Sequence, residues 1–178
     1  MNYKQEDYGE EYWKLRKRVE PKHYFICGDI IRWLMPKKVL DYGCGCGQYV
    51  KAFKDFGVDV VGYEPSEVAL KNSCCKELMI DKKDIKENYY DLVFCMDVLE
   101  HIKVDEVETF LEELKKYTKK GVVVSICMKG DPNFKYDKTH ITERTREWWE
   151  YKIFKAGFQI FKTPIEWDFS NQFIVMKK

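Results

Sequence analysis

The chain contains no hydrophobic run long or apolar enough to span a bilayer. Its first residues, MNYKQEDYGEEYWK, are charged and lack the apolar core of a secretory signal, so neither export nor membrane insertion is expected. Charge of one sign is not in excess either. The 31 Lys and Arg against 30 Asp and Glu leave a net charge of +1 at pH 7. No overall basic field therefore recruits nucleic acid or an anionic membrane. Internal repeats, low-complexity tracts and linkers are also missing. The 7 cysteines have no framework spacing, which argues against a disulfide scaffold and for reduced thiols in a cytoplasmic chain.

What is present fits a packed domain. Hydrophobic residues make up 45% of the 178 residues and charged residues 34%, a balance that argues against disorder. A chain of this length buries roughly two-thirds of its unfolded surface in one domain. Apolar residues at helical spacing from 10 to 34, interrupted by Pro21, predict two helices. A strand is expected over Lys38–Tyr42 and a helix over Gln48–Phe56, stopped by Gly57. The pattern then repeats. Val58–Glu64 reads as a strand, Pro65-Ser66 as a helix start, Leu78–Ile80 as a short strand and Asp91–Met96 as a buried strand. Further elements are a helix over Val104–Tyr117, a strand over Gly121–Met128 and a helix over Arg146–Lys155. Two closing strands follow, Phe158–Lys162 and Gln172–Met176, joined through a loop containing Pro164. Alternating strands and helices imply an α/β fold with a mostly parallel sheet covered on both faces. The closing pair, with no helix between, should be antiparallel.

Residues 39–50, VLDYGCGCGQYV, place a glycine-rich loop between the first strand and the next helix. Glycine permits positive φ and lets a ligand approach the backbone closely. Glu64 ends the following strand, about where a ribose-binding carboxylate belongs. The spacing is G-x-G-x-G rather than the dinucleotide G-x-G-x-x-G, and Asp41 stands just ahead. A carboxylate repels a phosphate and attracts an ammonium, so the loop suits a ligand with an amino-acid end. S-adenosylmethionine has that end and a ribose. A zinc site from Cys44, Cys46, Cys74 and Cys75 is disfavoured, because the Cys-x-Cys spacing is shorter than in zinc knuckles. The loop cysteines read as small residues between the glycines.

From residue 38 onward the chain resembles the class I S-adenosylmethionine-dependent methyltransferases. The resemblance is carried by VLDYGCGCG, VVGYEPS, KKDI, YYDLVFCMDVLEHI, GVVVSICM and THITERTREWWEYKIFKAGF. It implies a three-layer Rossmann-like fold with a seven-stranded sheet, order 3-2-1-4-5-7-6, in which strand 7 is antiparallel. It also implies one domain, with residues 1–37 as a helical cap or lid and residues 38–178 as the core. Carried over residue by residue, Asp41, Gly43, Cys44, Gly45 and Gly47 hold the methionine portion. Glu64 with Pro65 takes the ribose, Asp84 and Ile85 border adenine, and Met96, Asp97 and Val98 line the cofactor after the fourth strand. S-adenosylhomocysteine would be the product.

An oxygen or nitrogen nucleophile needs alignment with the methyl group, and a general base where its own acidity is low. The candidates are Asp97, His101 and His140, with Glu100 beside them. Asp97, Glu100 and His101 share one face if their segment is helical. CMDVLEHI is similar to the matching stretch of the ubiquinone-biosynthesis O-methyltransferases. It also resembles small-RNA 2′-O-methyltransferases, in which two acids and a histidine bind a metal. Asp97, Glu100, His101 and His140 are therefore the ligand candidates if a divalent metal is used, although none is favoured. Of Trp148 and Trp149, one is expected in the core, while Tyr8, Tyr12 and Trp13 suit a lid. The acceptor expected is a small molecule (a sugar, a metabolite or a phenolic ring), and no room exists for a nucleic-acid module. The alternatives are an RNA-directed or metal-assisted 2′-O-type methyltransferase and a non-catalytic methyltransferase-like partner subunit.

Overall fold

In a computed structural model, which describes residues 8–135, 137–161 and 172–177, the chain divides into two units meeting at Lys86 and Glu87. The first unit opens with α1 (Glu10–Arg16) and α2 (Pro21–Leu34). Pro21 separates them as expected, because a proline lacks the N–H that a continuing helix needs and is tolerated at a first turn. β1 (Lys38–Tyr42) and β2 (Asp59–Tyr63) pair in parallel, with Asp41 opposite Gly62 and Tyr42 opposite Tyr63. Between them lies α3 (Gln48–Asp55), which buries Val50, Ala52 and Phe53 and ends before Gly57 at φ 83°. Ser66 caps α4 (Glu67–Lys71) by accepting from the Ala69 N–H at 3.3 Å.

The strand expected over Leu78–Ile80 is reduced to one bridge between Gly62 and Met79. Lys76–Leu78 forms a 3-10 turn instead, and only residues 79–81 remain before the next turn at Lys82–Asp84. Three residues are too few for a ladder.

In the second unit β3 (Tyr90–Met96) and β4 (Thr118–Ser125) are parallel. β6 (Gln172–Lys177) is antiparallel both to β4 and to β5 (Phe158–Phe161), giving the order β3-β4-β6-β5. The antiparallel ending is as the sequence predicts; the loop with Pro164 lies outside the described residues. The class is α/β. α5 (Val107–Tyr117) buries Val107, Phe110, Leu111 and Leu114. α6 (Arg146–Lys155) buries Trp149 and Ile153, whereas Trp148 is half-buried. So Trp149 is the core tryptophan of the pair. The Lys115 ammonium donates to the Ala156 and Gly157 carbonyls at 3.0 and 3.1 Å, satisfying acceptors that the end of α6 leaves open. Among the described residues no helix is long and apolar enough to cross a membrane.

α5 runs into β4 without a loop, and Thr118 makes that possible. The register slips between Tyr90 and Leu92, so three residues of β4 face two of β3. The buried Thr118 hydroxyl donates to the Gly121 carbonyl at 2.7 Å and accepts from the Lys120 and Gly121 N–H groups at 3.2 and 3.0 Å. Replacing Thr118 by valine keeps the shape and removes these partners. The expected loss is about 1–3 kcal/mol of stability, measured by urea denaturation.

Candidate functional site

The first unit presents the glycine loop. Asp41 and Tyr42 end β1 in the buried interior, and residues 43–47 then turn sharply with Gly43, Gly45 and Gly47 at φ 83°, 54° and 82°. The Gly43 and Cys44 N–H groups both donate to the Tyr63 carbonyl, at 2.8 and 3.0 Å. The Gly45 N–H donates to Glu64 Oε2 and the Ser66 N–H to Glu64 Oε1, each at 2.9 Å. Glu64 therefore clasps the loop across the ends of β1 and β2.

Asp41 is the anomaly. Its side chain is buried, and Oδ2 has no hydrogen-bond partner among the described residues. Burial first, and the neighbouring Glu64 charge second, push its carboxyl well above the ordinary range. Burial also raises Glu64, against the opposing pull of the Ser66 and Gly45 N–H groups. Of the other residues expected at a cofactor, Pro65 is half-buried beside Glu64, Asp84 is exposed in its 3-10 turn and Ile85 is buried.

The loop cysteines are more than spacers. Cys44 Sγ lies 3.5 Å from Met79 Sδ, and the Cys46 thiol points to the Trp13 and Ala69 carbonyls at 3.6 and 3.8 Å. The Cys75 thiol donates to the Gly47 carbonyl at 3.3 Å. Cys44, Cys46, Cys74 and Cys75 make no metal-holding group among the described residues. Trp13, whose ring meets Tyr8 at a tilt and Tyr12 edge to face, lies against the loop: a Cβ on Gly45 would stand 3.1 Å from its Cζ3. No local pattern pointed to that contact.

The second unit presents the acid–histidine cluster after β3. Here the sequence reading needs correction. Asp97, Glu100 and His101 do not share a helix face, because Asp97 adopts the left-handed region at φ 54° and only Leu99–His101 forms a 3-10 turn. Asp97 instead faces Ser125: its N–H donates to the Ser125 carbonyl and hydroxyl at 3.1 and 3.0 Å, and the Ser125 hydroxyl donates to Oδ1. Met96 is half-buried at the end of β3, and Val98 is buried. Glu100 is fully buried, accepts from the Cys127 N–H at 3.0 Å through Oε1, and is raised to about 8 by burial and then by Asp97.

His101 and His140 do come together, their rings 4.8 Å apart and edge to face. His101 Nδ1 lies 3.1 Å from the Thr139 carbonyl, and the Thr139 hydroxyl donates to Asp137. A carbonyl only accepts, so this contact suits a proton on Nδ1, and the Asp97 carbonyl is a second acceptor for the ring. Burial, then His140, lowers His101 to about 4; burial lowers His140 as well. Of the four metal-ligand candidates, Glu100 and His140 belong to the group that could hold a metal among the described residues, and its third member is Cys127. Cys127 was missed because it lies in a run that reads as continuous strand, whereas β4 stops at Ser125.

The family model described as a methyltransferase domain matches residues 15–169. The chain belongs to the methyltransferase domain family. This methyltransferase domain is 29% identical over 116 residues to a ubiquinone biosynthesis O-methyltransferase of Pectobacterium atrosepticum, covering 58% of the chain and 47% of that protein. It is 31% identical over 136 residues to an uncharacterized protein of Methanocaldococcus jannaschii, covering 74% of the chain and 53% of that protein. The chain thus spans about half the length of these curated relatives. Magnesium protoporphyrin IX methyltransferase of Synechocystis, solved with bound SAH, matches with a TM-score of 0.69 at 16% identity over 96% of both chains. That likeness shows the fold. The class expected from the sequence, an S-adenosylmethionine-dependent methyltransferase of class I, is the one that family and fold return.

Proposed function

We propose that this methyltransferase domain transfers a methyl group from S-adenosylmethionine to an oxygen or nitrogen of a small acceptor: a sugar, a metabolite or a phenolic compound. The observation that carries the reading is Asp41, a buried carboxyl group with an unpartnered oxygen ahead of a loop of three positive-φ glycines. A buried acid in that place repels a pyrophosphate and pairs with the ammonium of an amino-acid end. The rest of the loop fits the same ligand. An ionised carboxylate offers about four lone-pair sites, so Glu64 keeps capacity for ribose hydroxyls after accepting from Gly45 and Ser66.

When bound, the sulfonium supplies an activated methyl group and a good leaving group. The chain's share is placement. Asp41 with Gly43, Cys44, Gly45 and Gly47 holds the methionine end, Glu64 and Pro65 the ribose, and Asp84 and Ile85 the adenine. Met96, Asp97 and Val98 are assigned to the cofactor's border. His101 is assigned as the base that takes the acceptor's proton, since it stands beside His140 and burial keeps its ring neutral at pH 7. His140 and Asp97 are assigned as its companions.

We read the two units as one domain, a reading supported by the continuous family match over residues 15–169. The segment before Lys38 is read as a cap, supported by Trp13 against Gly45. Relatives named for ubiquinone biosynthesis and for magnesium protoporphyrin IX favour a small acceptor. The seven free cysteines favour a reducing, cytoplasmic compartment.

Calorimetry tests the cofactor directly. One molecule of S-adenosylmethionine or S-adenosylhomocysteine is expected to bind per chain, and absence of heat with both removes the proposal. Given binding, transfer of labelled methyl to a panel of phenols and sugars identifies the acceptor class.

A further inference from the structure

One ligand atom from each of Glu100, Cys127 and His140 lies within 4.8 Å of the other two. We propose that these three side chains of the second unit form a site for a zinc-class divalent cation. The Cys127 thiolate, a Glu100 carboxylate oxygen and a His140 ring nitrogen would be the ligands.

Two observations independent of the clustering point to a ligand. Glu100 Oε2 and His140 Nδ1 are both buried with no hydrogen-bond partner among the described residues. Leaving such a group unsatisfied is costly, and more so if it is charged. One cation bound to both removes two such costs at once.

The far sides of the ligands are also engaged. Glu100 Oε1 takes the Cys127 N–H at 3.0 Å, which ties two of the ligand residues to each other and directs Oε2 elsewhere. His140 Nε2 lies 3.8 Å from Asp137 Oδ2, so a carboxylate faces one ring nitrogen while the other lacks a partner. Metal-bound imidazoles are held in this way.

The framework is sewn together by backbone. The Ile141 and Thr142 N–H groups both donate to the Glu100 carbonyl at 3.0 Å, and the Thr142 hydroxyl donates to the Ile102 carbonyl. The loop that carries His140 is thus fixed to the turn that carries Glu100.

Donor chemistry selects the cation. Magnesium and calcium take oxygen ligands, whereas sulfur, nitrogen and one carboxylate oxygen suit zinc. With bonds of about 2.0–2.3 Å, ligand atoms on a tetrahedral zinc stand about 3.3–3.6 Å apart, so closure draws the triangle in by about 1 Å. Three protein ligands leave a fourth position for water or a substrate atom. Asp97 and His101, the other ligand candidates from the sequence, are engaged with Ser125 and Thr139.

The site does not depend on the cofactor reading, and its test uses neither cofactor nor acceptor. The full chain, kept reduced, is titrated with cobalt(II). One equivalent is expected to bind with a thiolate-to-cobalt charge-transfer absorption, and zinc should displace it. Cys127→Ser should abolish that absorption. His140→Gln should weaken cobalt binding by about 10–100-fold or more. Cys74→Ser, at the exposed cysteine, should change neither. Absence of stoichiometric binding overturns the proposal, as does a charge-transfer band that survives Cys127→Ser. Should Cys127→Ser fail to fold, His140→Gln decides: cobalt affinity equal to that of the unaltered chain overturns the site.

Discussion

Asp41→Asn is expected to weaken S-adenosylmethionine binding by about 100-fold or more while making the ligand-free protein more stable. The two effects have one cause. Removing one member of a buried, hydrogen-bonded charge pair costs about 2–5 kcal/mol of affinity, and asparagine cannot balance an ammonium. In the free protein the same carboxyl group is a burden, since Oδ2 is buried without a partner among the described residues. Its pKa is raised, so the folded chain holds the proton more tightly than the unfolded chain does. Stability is then full below the ordinary carboxylate range and falls as pH rises toward the raised value. The asparagine variant lacks that fall and should melt higher at pH 7; Glu64, raised in the same direction, keeps a remainder of it. An ammonium beside Asp41 pulls the pKa back down, so cofactor binding releases a proton. Calorimetry in buffers of different ionisation heat detects this release in the parent and should find none in the variant. Equal affinities in the two proteins would remove Asp41 from the site.

The cofactor loop was legible because its signal is local. A strand of five residues, a turn that only glycine enters easily and an acid at the end of the next strand all lie within 27 residues of sequence, from Lys38 to Glu64. α6 was legible for a similar reason: Thr145 caps it and Gly157 at φ 77° follows its end. The acid–histidine segment was not. Spacing of three and four residues implies a shared face only if the backbone is helical, and a single left-handed residue, Asp97, cancels that premise. Aspartate tolerates this conformation better than most residues, so nothing in its identity announced it. Trp13 against Gly45 and Cys127 beside Glu100 are long-range contacts, and a lone sequence has no periodicity that encodes such pairs.

Gly47→Ala should cost about 2–5 kcal/mol, and a second glycine separates the causes. Gly47 and Gly57 have nearly the same backbone, φ 82° and 83°. An L-residue there costs about 1–2 kcal/mol from crowding against its own carbonyl. A Cβ on Gly57 meets nothing within 4 Å, so Gly57→Ala should show that cost alone and leave cofactor affinity unchanged. A Cβ on Gly47 would stand 2.4 Å from Met79 Cε and 2.7 Å from Cys75 Sγ. Met79 can swing its flexible end aside. Cys75 cannot, because its short side chain is buried and its thiol donates to the Gly47 carbonyl. Overpacking of this kind adds about 1–3 kcal/mol. Urea denaturation of the two variants should therefore differ by roughly that amount. Adding Cys75→Ala to Gly47→Ala should recover part of the packing cost and none of the backbone cost. The double variant would then approach Gly57→Ala once the loss from Cys75→Ala alone is subtracted. If Cys75→Ala gives no recovery, the conformation of the turn, and not its closeness to Cys75, is what demands glycine at position 47.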